Sequence, residues 1–274
     1  MKSKLRRLIM FIPGGRVALR IRFAWKYFRA PIKNATNWAF SKKEDNNFYY
    51  QVSDINRDQI IHACAFLLKS TYLEIDSFVR ELEGDRVLRD HIHARLQEEG
   101  FSKSIEVDFG RRIAWYAFVR TLKPKVVVET GVAHGVGACV VAKALEENKR
   151  EGFPGTYYGT DVDLKAGSVF SGKYSEQGEI LYGDSIKSLR TLSSKIDLFI
   201  NDSDHDPEYE YREYWEIIEK LSEGAFIIGD NAHATMSLSK FSLETGRNFI
   251  FIPEFPKNHW YPGAGIGISL PRLD

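Results

Sequence analysis

Cysteine is nearly missing from this chain: Cys64 and Cys139 are the only two among 274 residues. They stand far apart in apolar surroundings, which argues against a disulfide framework or a zinc site and fits a reducing cytosol. Long hydrophobic runs are missing as well. No stretch reaches the ~18 apolar residues of a membrane span. The apolar run Leu8 to Ile12 stops at Pro13-Gly14-Gly15, shorter than the h-region of a secretory signal needs. Acid is absent from residues 1–43, which carry twelve Lys and Arg. The rest of the chain is left with 26 basic against 37 acidic residues, so a basic arm is joined to an acidic body.

What is present is ordinary globular composition, 43% hydrophobic and 27% charged, which excludes global disorder. The arm, residues 1–45, interleaves its cations with Phe23, Trp25, Tyr27 and Phe28. Arg22, Lys26 and Arg29 share one helical face, while Arg16 and Arg20 lie elsewhere. Three partners suit such a segment: an anionic membrane surface, the protein's own body or a second subunit in a homo-oligomer, and, less well, nucleic acid. The expected location is cytoplasmic, at the inner face of the membrane if the arm binds lipid.

A polar linker, Ser41 to Asn47, separates the arm from a helical region over 46–124. Apolar residues recur at helical spacing from Asp58 to about Glu83, and further helices are expected at 86–98 and 110–122. After Pro124 the period changes. Strands are expected at 125–129, 156–161, 179–182, 196–201, 225–229, 248–252 and 265–270, with helices at 136–148, 185–193, 207–221 and 235–246. This alternation predicts an α/β, Rossmann-like, doubly wound and mostly parallel seven-stranded sheet over 125–274, with an N-terminal helical extension. The last two strands bring in an antiparallel element. Ligands of such sheets bind beyond the carboxyl ends of the strands.

At the first of those ends stands Glu129-Thr130-Gly131-Val132-Ala133-His134-Gly135-Val136-Gly137. It is not G-x-G-x-x-G, because Ala133 and Val136 stand where glycines are required, and no Gly-Lys-Ser/Thr follows. The turn admits a ligand close to the backbone without being a dinucleotide or Walker loop. Later strand ends carry Asp161, then Gly183-Asp184-Ser185, then Asn201-Asp202-Ser203-Asp204-His205, then Gly229-Asp230-Asn231.

Taken in order, these motifs resemble class I S-adenosylmethionine-dependent methyltransferases, over roughly residues 110–274. The resemblance implies S-adenosylmethionine as cofactor, with Glu129, Gly131, Gly135, Asp161, Asp184 and Ser185 around it: Asp161 at the ribose and Asp184 near the adenine. Asp202, Asp230 and Asn231 look like the divalent-metal site of the cation-dependent O-methyltransferases, the branch that acts on catechols and macrolide sugars. That implies Mg²⁺ or another divalent cation. The implied acceptor is a hydroxyl of a sugar, glycolipid, polysaccharide or small secondary metabolite.

The proton of that hydroxyl needs a base. His205, three residues after Asp202, has a suitable unperturbed pKa. Asp204 competes for the role or orients His205, and His233 is a candidate for substrate contact. His134 is expected at cofactor or solvent, and His62, His91 and His93 in surface or packing roles. The aromatic segment 254–263 either lines an acceptor pocket or is a packed turn. Two rival readings remain: a non-catalytic or hydroxylase-like member of the same fold, and a membrane scaffold with a vestigial methyltransferase domain.

Overall fold

A computed structural model describes residues 13–41, 50–101, 105–204 and 206–271. Helix α1 (Gly15–Ala39) forms much of the arm. Four helices follow: α2 (Asp54–Leu67), α3 (Tyr72–Gly84), α4 (Arg86–Glu98) and α5 (Arg112–Leu122). The expected single helix from Asp58 to Glu83 is therefore two. Lys69 is left-handed at φ 53°, and the Thr71 hydroxyl accepts from the Glu74 amide, starting a new helix. That is an N-cap of the Thr-x-x-Glu kind, concealed by apolar residues that continue in phase across the break.

The remainder alternates β1 (Val126–Thr130), α6 (Val136–Arg150), β2 (Thr156–Asp161), β3 (Gly178–Tyr182), α7 (Ser185–Thr191), β4 (Ile196–Asn201), α8 (Pro207–Ile217), β5 (Leu221–Gly229), α9 (Ser237–Glu244), β6 (Phe249–Pro253) and β7 (Gly265–Ser269). The strand order is β3-β2-β1-β4-β5-β7-β6. The first five strands run parallel, and β7 is antiparallel to both β5 and β6. All seven expected strands are present within a few residues of their expected limits.

Strand residues alternate between two cores, as the pleat requires. Val127, Leu198, Phe226 and Ile228 face α5 and α6, with α2–α4 packed outside in the same apolar cluster. Val128, Phe199 and Ile227 face Leu189, Tyr214 and Phe241 of α7, α8 and α9. The sheet thus has helices on both faces, and its parallel strands read as continuous apolar runs. Both cysteines are buried and free.

Order at the top of β1 depends on glycine. Gly131 sits at φ 82°, and a Cβ there would lie 2.1 Å from the Asp202 carbonyl oxygen. Only glycine lets the β1 turn pack against the tip of β4. That contact fixes where the Asp202 loop stands relative to the glycine loop.

Candidate active site

A cleft of about 480 Å³ opens at the carboxyl ends of β1 to β4, lined by residues that include Gly131, Asp161, Asp184, Ser185, Asp202 and Asp204. Its size lies within the range of small-molecule sites. The topology places it there: β1 and β4 are central neighbours, and their connections leave to opposite faces.

Asp161 ends β2 and holds the glycine loop. One of its oxygens accepts from the Ala133 amide and the other from the Asp163 amide, both at 2.9 Å. Each oxygen keeps a lone pair for a ligand hydroxyl. Asp184 caps α7 by accepting from the Lys187 amide, and the Tyr209 hydroxyl reaches it at 3.3 Å. Ser185 is buried, its hydroxyl shared between Tyr209 and Glu213.

Glu213 was not visible as a site residue. Together with Glu210 it faces inward from α8, although its pattern of acids reads as a solvated helix face. Glu213 accepts from Ser185, Ser203 and Asn201 and ties the β3 and β4 loops together beneath the cleft. Burial raises its pKa, against the hydrogen bonds that it accepts. Tyr209, also missed, forms part of the cleft wall.

Two of the expected cofactor residues stand outside the cleft lining. Gly135, at φ 95°, is the N-cap of α6. Glu129 is buried behind the loop, where it accepts from the Tyr157 hydroxyl at 2.7 Å. A Cβ at Gly137 would meet both Glu129 and Trp115 at 2.6 Å. The alternation of β1 turns Glu129 toward α6, so it supports the loop from behind.

Burial pushes the Glu129 carboxyl up to about 7, against the Tyr157 hydrogen bond. A carboxyl raised above its unfolded value is tolerated while protonated and becomes a liability as pH climbs from the unfolded pKa to the folded one. Glu129→Gln keeps the acceptor for Tyr157 and does not titrate. Its stability relative to the wild type is expected to improve by ~3 kcal/mol between pH 4.5 and pH 8. Thermal unfolding of both proteins across that range checks this; a parallel pH dependence would refute it.

At the β4 and β5 tips the carboxyls of Asp202 and Asp230 are hydrogen-bonded neighbours. Arg111, at the start of α5, approaches Asp230 with both edges of its fork: Nε donates to one oxygen at 2.6 Å and NH2 to the other. Its NH1 donates to Glu254 at 3.0 Å, and its backbone amide to the other Glu254 oxygen at 2.7 Å. The Tyr50 hydroxyl donates to Glu254 at 2.8 Å. Burial opposes ionisation of Asp230, but the Arg111 guanidinium overrides it and holds the carboxyl below the usual range. Asp202 goes the opposite way, raised well above that range by burial and then by the charge of Asp230.

This arrangement does not fit the expected divalent cation. Magnesium and calcium take six or more oxygen ligands, and the Arg111 guanidinium, bonded to both oxygens of Asp230, sets a positive charge against any cation there. What remains is Asp202 and the Oδ1 of Asn231, which is buried without a hydrogen-bond partner. Among the described residues no three His, Cys, Asp or Glu side chains form a group able to hold a metal. A positive charge is already built into this corner, and it belongs to Arg111.

His205 lies outside the described residues. Asp204 is exposed at the cleft wall and accepts from the Asp206 amide at 3.3 Å. His134 meets Phe101 edge to face. His91 bonds the Val169 carbonyl oxygen at 2.9 Å, in line with a packing role.

Residues 128–232 match the family model of a methyltransferase domain. Among solved structures, the chain is similar to the O-methyltransferase TomG from Streptomyces achromogenes, involved in tomaymycin synthesis, in complex with S-adenosylmethionine. The identity is 14%, with a TM-score of 0.52 and coverage of 69% of this chain and 91% of that one. It is also similar to the O-methyltransferase from Bacillus cereus in complex with S-adenosylhomocysteine, at 13% identity and a TM-score of 0.53, covering 72% of this chain and all of that one. No curated protein matches the chain. The fold is thus the α/β, Rossmann-like methyltransferase fold. Among the described residues no helix is long and apolar enough to cross a membrane.

Proposed function

We propose that this chain transfers a methyl group from S-adenosylmethionine to an acceptor oxygen. One observation carries the reading: the cleft gathers Gly131, Asp161 and Asp184, from three successive strand ends, beside Asp202 and Asp204 from a fourth. Asp161 accepts from the ribose hydroxyls while still tethering the glycine loop, and Asp184 and Ser185 bound the adenine end. When bound, the cofactor would supply a sulfonium methyl carbon open to in-line attack by the acceptor oxygen, the C–O bond forming as the C–S bond breaks and S-adenosylhomocysteine leaves.

The residues of this chain do the rest. Asp202 orients the acceptor hydroxyl, and the loop Asp202–His205 takes its proton, with His205 or Asp204 as the base. Arg111 keeps Asp230 anionic and fixed, so that Asp202 is held against it at the cleft wall. Catalysis is mostly positioning and exclusion of water. A sugar-type hydroxyl is the favoured acceptor, because Tyr261 and His259, which pack around Tyr50, offer aromatic faces near Arg111.

Isothermal titration is expected to show stoichiometric binding of S-adenosylmethionine. A screen of hydroxylated acceptors with labelled donor is expected to yield an ether-linked methyl product. Absence of cofactor binding by the folded protein would remove the enzyme reading.

A further inference from the structure

The proposed reaction leaves α1 without a task, yet α1 holds the densest group of exposed apolar side chains. It runs unbroken for 25 residues, through Pro31, and only Gly15 is buried; its length is ~37 Å. Ile21, Trp25, Phe28 and Ile32 are 63%, 55%, 60% and 47% exposed. At helical spacing these four and Val17 fall in a stripe about 80° wide. Arg22, Lys26, Arg29 and Lys33 follow one flank of it. Arg16 and Arg20, which seemed out of place in the sequence, follow the other. The helix contains no acid, and none of its six cations is ion-paired with a carboxylate among the described residues.

We propose that α1 docks on an anionic lipid bilayer, with Val17, Ile21, Trp25, Phe28 and Ile32 inserted below the headgroups and the two cationic flanks lying among the phosphates. The charge decides the occupant. Two copies of α1 packed side by side would oppose twelve cations, whereas a bilayer offers apolar interior and negative headgroups to one surface of one helix. Aromatic and long basic side chains at the edge of the stripe suit that boundary, because their apolar stems and polar tips separate across it.

The C-terminal turn of α1 ties the docked helix to the body. Trp38 stacks on Trp260 with centroids 4.5 Å apart, and the Asn34 amide donates to the His259 carbonyl oxygen at 3.4 Å. The His259 ring lies 5.2 Å from that of Tyr50, which bonds Glu254 beside Arg111. The bilayer therefore meets the body at the segment next to Asp230. That this is the acceptor side rests on the methyltransferase reading; the docking itself does not.

The test is flotation of the full chain with vesicles of equal parts phosphatidylglycerol and phosphatidylcholine, against phosphatidylcholine alone. Flotation is expected only with the anionic vesicles, and it should fall as salt rises. Arg22→Gln with Arg29→Gln is expected to weaken partitioning by about thirtyfold. Ile21→Glu with Phe28→Glu is expected to abolish it, while S-adenosylmethionine binding reports that the body is still folded. Asp161→Ala should float like the wild type, which separates this proposal from the catalytic one. Failure of the wild type to float, or wild-type flotation of the glutamate variant, overturns the proposal. So does a dimer in sedimentation that the glutamate variant dissociates, since it assigns the stripe to a second copy.

Discussion

Asp161→Ala is expected to weaken S-adenosylmethionine binding by about two orders of magnitude, whereas Asp202→Ala leaves the cofactor affinity within a few-fold and removes turnover. The first effect follows from what Asp161 holds. Its oxygens accept from Ala133 and Asp163 at 2.9 Å, so truncation releases the glycine loop as well as the ribose contacts. Hydrogen bonds to a charged group contribute roughly 1.5–3 kcal/mol each, and the loss of two, taken at the lower end, corresponds to about a hundredfold in affinity. The second effect follows from location. Asp202 lines the same cleft but stands at the β4 tip, its carboxyl hydrogen-bonded to Asp230 and making none of the bonds that hold the glycine loop to Asp161. Loss of the group that orients the acceptor hydroxyl costs on the order of 10²-fold or more in rate. Titration calorimetry paired with single-turnover methyl transfer separates the two variants. If Asp202→Ala lost the cofactor and Asp161→Ala kept it, the assignment of the two ends of the cleft would be reversed.

Much of this was legible in the sequence because the information is local. Val126-Val127-Val128, Leu198-Phe199-Ile200 and Phe226-Ile227-Ile228 are short apolar runs, each closed by a polar turn, and a parallel sheet orders such turns along one edge. Gly131, Asp161, Asp184 and Asp202 therefore share a cleft, as their strand-end positions required. Glu129 shares the glycine motif, yet the strand period turns it to the opposite side of β1, outside the cleft lining. Glu213 and Tyr209 were missed for another reason. Acids on an amphipathic helix are expected to face water, and only the packed structure shows three donors waiting for Glu213. The Arg111 cluster was illegible because its members are distant in sequence. Tyr50, Arg111, Asp230 and Glu254 meet only when the helical region closes over β5 and β6, and nothing in the spacing of Asp202 and Asp230 reveals that a guanidinium of the chain lies against Asp230.

That contact makes Arg111 consequential although it stands outside the cleft lining. Asp230 and Glu254 are each only 1% exposed, and among the described residues Arg111 is the cation ion-paired with both. Arg111→Met leaves two buried carboxylates without their ion pair, and removing one partner of a buried pair costs about 3–5 kcal/mol. A matching fall in stability is expected by denaturant unfolding, with part of it restored when Asp230→Asn is added, since residues in one network are not additive. The same variant frees the oxygens of Asp230 beside Asp202 and the unpartnered Oδ1 of Asn231, and three hard oxygen donors then converge. Arg111→Met is therefore expected to gain Mn²⁺ binding, seen by electron paramagnetic resonance and as a metal-dependent rise in its own stability, while the wild type shows neither and turns over unchanged in excess EDTA. Stoichiometric Mn²⁺ binding by the wild type that disappears in Asp230→Asn would mean that the guanidinium gives way to a metal, and the reading of Arg111 as the resident cation would be wrong.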